Sequence, residues 1–230
     1  MEEKLEQQVN GAPEQVEQDK SKELKSFKHA FVLFSVGQIL MLISQISTAT
    51  SINGVPQILV LFALLVPPAY FISFIALARA RKINADFMRS LIAFSAFLII
   101  EAFILVCNNS QASYDHYLAK GLSWAGNFME CVYYLYFFHG TSLVFKEHGM
   151  VKEAKKTKVS LIIFTVLFII TRIFEYLSTA KYVRMNRFTN RFFLYGFWTL
   201  LFLFYLTVFI ALIFAWRSMN KIRKKGANNG

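Results

Sequence analysis

Four side chains able to hold a proton or an ion pair stand where the chain offers them no water. Glu101, Glu130, Glu175 and Arg172 each interrupt a long apolar run. Insertion scales put the cost of an Asp, Lys or Arg at the centre of a spanning helix at roughly 2.5 to 3.5 kcal/mol, so such groups need partners, protons or hydration. At ~1.5 Å of rise per residue, Glu101 lies ~9 Å below the outer end of its run at Cys107, Glu130 ~12 Å below Leu122 and Arg172 ~8 Å below Leu177. Three separate runs therefore deliver ionisable groups to one layer. Glu175 is ~3 Å from that edge and is expected to reach toward the interface.

The layer is unbalanced, with three carboxyls against one guanidinium. Arginine keeps its proton in any protein environment, so one carboxylate is expected to pair with Arg172. Whichever of Glu101 and Glu130 lacks that partner is expected to be neutral or to face water, because burial disfavours the ionised form. Ser123, Asn127, Glu130 and Tyr134 follow a spacing of four, three and four residues, which aligns them on one helical face expected to point inward. Gln38 and Gln45, seven residues apart, form a second polar face that could complete a hydrogen-bonded lining. His139, nearer the other end of the same run as Glu130, is a candidate inner proton relay.

Two kinds of chemistry fit this constellation. In the first, Arg172 bridges Glu101 and Glu130 as a structural clamp. In the second, an outward-facing cavity uses Glu101 or Glu130 as proton acceptor and Arg172 to hold a small anion. No cofactor is implied. The nucleotide-binding loop, the GxSxG elbow, HExxH and paired-aspartate patterns are missing from the sequence, which disfavours hydrolase or ATPase chemistry. No histidine pair has the i, i+4 spacing of a helical zinc site, and Cys107 and Cys131 form no CxxC.

Six stretches are long and apolar enough to carry these residues across ~30 Å of hydrocarbon: Ala30 to Ser47, Gln57 to Ala78, Phe87 to Cys107, Leu122 to Phe145, Val159 to Leu177 and Phe192 to Trp216. Residues 29–217 are therefore expected to form an all-α, polytopic membrane bundle. Residues 1–28 form a polar tail and 218–230 a basic one. Composition agrees, with 56% hydrophobic and 17% aromatic residues in 230. Ser51, Asn53, Gly54 and Pro56 make a tight link, so the first two spans are expected to be antiparallel neighbours. Pro67 and Pro68 should kink the second. The aromatic residues of the last span, from Phe192 to Trp216, read mainly as lipid contacts and interfacial anchors.

The net charge of +11 gathers in short clusters beside the apolar runs, a membrane pattern and not a nucleic-acid one. Eighteen lysines and arginines fall on one side and five on the other, which places both termini in the cytoplasm. The discordant link runs from Lys181 to Arg191 and holds four of those five. Anionic lipid headgroups are the expected partners of the basic links, above all that from Lys146 to Lys158. A homo-oligomer or a membrane-protein partner is a further expectation, and the Lys-rich, Cys-poor style suggests a bacterial plasma membrane. Asn108, Asn109 and Ser110 form a sequon too close to the bilayer for ready modification.

The functional expectation is a non-enzymatic structural or sensory membrane module. The alternative is a small secondary transporter or proton-coupled channel for a small anionic solute, with an intramembrane enzyme third.

Overall fold

The computed structural model describes residues 25–40, 66–109, 116–179 and 187–227. Every element among them is a helix: α1 within 25–40, α2 (Val66–Ala80), α3 (Ala85–Asn109), α4 (His116–Glu147), α5 (Val151–Thr179) and α6 (Arg187–Ala227).

The short links show why the chain turns where it does. Asn84 is the N-cap of α3, its side-chain oxygen accepting hydrogen bonds from the amides of Asp86 and Phe87, both at 3.1 Å. Asp86 then places a carboxylate in the first turn, where the helix dipole favours negative charge. At the other tight link, Gly149 takes a φ of 72°, a left-handed conformation costly for residues with a Cβ. The Met150 amide reaches back to the Phe145 carbonyl at 2.8 Å, closing α4. The lysines expected in a long basic link thus mostly belong to the opening turns of α5, which starts at Val151.

Consecutive helices pack on one another from α2 to α6. α1 lies antiparallel to α2. Gln38 of α1 donates to Ser73 of α2 at 3.3 Å, and a Cβ on Gly37 would collide with the Ser73 hydroxyl and sit 2.9 Å from the Ala69 carbonyl. The described parts of α1 and α2 are therefore paired as expected, and the pairing depends on a glycine that lets two backbones approach.

α4 is the hub. Its Phe137 stacks on Phe34 of α1 with ring centroids 3.9 Å apart, Tyr133 meets Phe94 of α3 edge-on at 5.0 Å, and Tyr134 packs at 5.0 Å from Phe164 of α5. Phe164 in turn lies 4.6 Å from Phe204 of α6. Large aromatics therefore fill the centre. The outside is apolar as well: Ile99 is 70% exposed, Phe71 66% and Ile162 63%. Such a surface suits lipid rather than water.

Three helices are long and apolar enough to cross a membrane among the described residues: Ala85–Ile104, Val151–Leu177 and Arg191–Asn220. This is half of the expected six, and the shortfall has distinct sources. α2 is apolar but short as described, and parts of the first two expected spans lie outside the described residues, together with the stretch 57–65 on which the kink at Pro67 and Pro68 depends. α4 has ample length at 32 residues. Ser123, Asn127, Glu130, Tyr133, Tyr134, Tyr136 and His139 dilute its hydropathy.

Candidate functional site

Glu130 lies on the core side of α4 with its side chain 7% exposed. Arg172 projects from α5, and its Nη2 lies 3.3 Å from Glu130 Oε2. Tyr205 of α6 approaches the other carboxylate oxygen, its hydroxyl 3.4 Å from Oε1. One carboxylate therefore ties three helices together. The remaining faces of the guanidinium are also engaged: Nη1 bonds Glu175 Oε2 at 2.8 Å one turn along α5, and the Phe168 ring lies 4.9 Å from Cζ. Cation–π contact and a planar fork shared between two carboxylates are the recognition modes arginine performs best. Arg172 Nε remains buried without a partner among the described residues.

This arrangement corrects the expected clamp. Arg172 bridges Glu130 and Glu175, not Glu130 and Glu101. Glu175 does not simply reach for the interface, because at i, i+3 it lies on the arginine's own face of α5. Glu101 makes no hydrogen bond or ion pair to any described residue. Its Oε1 rests against Gly126 of α4, where an added Cβ would stand 3.1 Å from it.

The polar face of α4 divides along its length. Glu130 and Tyr134 are buried, Asn127 is half-buried, and Ser123 is exposed. The Tyr134 hydroxyl donates to Gln38 Oε1 of α1, and Gln38 passes the chain of hydrogen bonds to Ser73 of α2. Gln38 therefore contributes to a polar lining as expected, whereas Gln45 lies outside the described residues. A small cavity of about 10 Å³, room for a single water, separates Gln38 from Tyr205. Tyr133 is buried beside Tyr134 with its hydroxyl unpartnered among the described residues.

His139 does not continue this network inward. Its Nδ1 lies 2.7 Å from Asp86 Oδ2, and Asp86 also bonds Arg89 at 2.9 Å. Asn84 adds a bond from its amide to the Gly140 carbonyl at 3.2 Å. These contacts fasten the start of α3 to the end of α4, some nine residues or ~14 Å from Glu130, with aromatic rings between. The relay expected for His139 has no polar path to Glu130 among the described residues.

Sequence reasoning missed two members of these clusters. Tyr205 was counted with the lipid-facing aromatics of the last span, yet it and Phe204 are buried; no local signal separates an inward tyrosine from an outward one in an aromatic-rich run. Asp86 carried a legible signal, because an Asn two residues before an acid at the start of an apolar run is a helix N-terminus signature.

Comparison of the chain with family models, with curated proteins and with solved structures finds no match, so the reading of its function rests on this geometry alone.

Proposed function

We propose that the chain is a non-enzymatic, multi-pass membrane module, structural or sensory in role, in which a buried ion pair specifies how the last three helices pack. One observation carries the reading: Glu130 is held by Arg172 from α5 and by Tyr205 from α6 within a tightly filled aromatic core. The six-span topology with both ends in the cytoplasm belongs to the same proposal and is supported by the charge count.

Removing one partner of a buried pair leaves the other charge uncompensated, at a cost of about 3 to 5 kcal/mol, whereas replacing both by apolar groups is often neutral. Glu130→Gln and Arg172→Met should therefore each lower stability in detergent strongly, and the double variant Glu130→Leu/Arg172→Met should regain most of the loss. Equal or additive losses in all three would refute the pin.

One feature favours a proton-coupled transport reading instead. Glu101 has a carboxyl free of hydrogen bonds to the described residues, in a layer where three carboxyls face one guanidinium. Reconstituted wild-type protein showing pH-gradient-driven flux, abolished by Glu101→Gln with folding retained, would establish that reading in place of the first.

A further inference from the structure

At the end of the bundle where α1 begins and α2 ends, Lys25, Ser26 and His29 of α1 face Arg79 of α2 across an open cleft of about 380 Å³. Lys25 and His29 are four residues apart on one helical face, and the antiparallel register that sets Gln38 beside Ser73 brings Arg79 opposite them. None of the described lining residues is acidic. Among the described residues neither Lys25 nor Arg79 forms an ion pair, whereas Arg89 is taken by Asp86. Like charges held near one another on two packed helices repel, and an anion between them relieves that repulsion.

The surface below the cleft changes character at once. Continuing the Lys25 and His29 face by three and four residues gives Val32 and Val36, exposed at 37% and 41%. On α2, Ile75 and Ile72 lie one and two turns below Arg79, half-buried, and Phe71 beside them is exposed. Two cations and a hydroxyl thus cap a continuous apolar stripe made by two helices.

From this juxtaposition we propose that the cleft is a binding site for the phosphate group of an anionic phospholipid, with the headgroup among Lys25, Ser26, His29 and Arg79 and the acyl chains along Val32, Val36 and Phe71. A planar guanidinium supplies two parallel donors to phosphate oxygens, while the lysine ammonium and the serine hydroxyl supply further ones. A free phosphate would satisfy the charges equally well. The apolar stripe directly beneath has nothing to offer a soluble ion, and it selects the lipid. The site is independent of the Glu130 pin, from which it is separated by the whole α1–α4 aromatic core.

The test uses the full chain in nanodiscs of equal parts phosphatidylcholine and phosphatidylglycerol, with the lipids retained after gentle release counted by native mass spectrometry. Wild-type protein should retain phosphatidylglycerol preferentially. Lys25→Gln/Arg79→Gln should weaken that preference roughly tenfold or more, because it removes the charge-assisted hydrogen bonds of the cleft. Lys25→Arg/Arg79→Lys should keep it. Arg81→Gln/Lys82→Gln removes the same charge from exposed positions outside the cleft and should weaken the preference much less than the cleft variant does. A loss of similar size in that control would mean diffuse attraction and would overturn the site, as would undiminished preference in Lys25→Gln/Arg79→Gln. Inorganic phosphate added to the same nanodiscs should not displace the phosphatidylglycerol; displacement would assign the cleft to a soluble anion and reject the lipid.

Discussion

Three glutamates within apolar runs are chemically alike in the sequence, yet their surroundings separate them. Glu130 is buried and bonded from two other helices, Glu175 is about a third exposed and shares its arginine locally, and Glu101 makes no hydrogen bond to the described residues. Amide substitutions should therefore rank unequally in thermal unfolding in detergent. Glu130→Gln should cost about 3 to 5 kcal/mol. Glu175→Gln should cost under ~1 kcal/mol, because a partly exposed pair within one turn is screened. Glu101→Gln should fall within about 0.5 kcal/mol of wild type, the range of substitutions that break no specific contact. Equal effects at Glu101 and Glu130 would mean that Arg172 serves both. Tyr205→Phe, which removes one long hydrogen bond, should cost about 1 kcal/mol at most. That three ionisable groups share a layer was legible from rise per residue. Which carboxylate the arginine selects was not, since that depends on helix rotation and on the Phe168 ring beneath the guanidinium.

Individual helices are held in place by a few backbone devices rather than by long polar interfaces. The α2–α3 turn relies on Asn84 and the α4–α5 turn on Gly149. Asn84→Ala should destabilise by about 1 kcal/mol through the lost cap. Its loss should exceed that of an isolated cap, because the same side chain also holds Gly140. Gly149→Ala should cost about 1 kcal/mol from the left-handed backbone alone. Gly37→Leu acts differently: it drives a side chain into Ala69 and Ser73, so α1 should separate from α2 and become accessible to protease, while α3 to α6 stay protected. Protection of α1 in that variant would show that the contact is dispensable. Of these devices, Asn84 matches a readable N-cap pattern. Gly37 does not, because nothing local distinguishes a glycine at a helix crossing from one facing lipid.

Across the whole molecule, the ends of the helices sort by charge. The starts of α1, α3 and α5 and the ends of α2, α4 and α6 lie at one end of the bundle if each helix crosses, and that end holds most of the lysines and arginines. In a variant with Cys107 and Cys131 replaced by serine, single cysteines at Lys152 and Ile222 should resist a membrane-impermeant maleimide in intact cells, and one at Val183 should react. Labelling at Lys152 together with Val183 would break the six-span arrangement at the α5 boundary, whatever the role of the ion pair.

Composition and periodicity were enough to determine that the described part of this chain is helical, that several of its helices suit hydrocarbon, that it turns between residues 79 and 89 and between 146 and 158, and that costly charges share a level. Those properties follow from solvent and rise per residue, which act on each segment separately. The choice of α4 as the hub, the transfer of Arg172 from Glu101 to Glu175, the diversion of His139 to Asp86 and the inward turn of Tyr205 were decided only in the tertiary structure. Each depends on how one helix is rotated against another, and in a chain apolar on both its inner and outer faces the hydrophobic pattern that would fix that rotation in water carries little information.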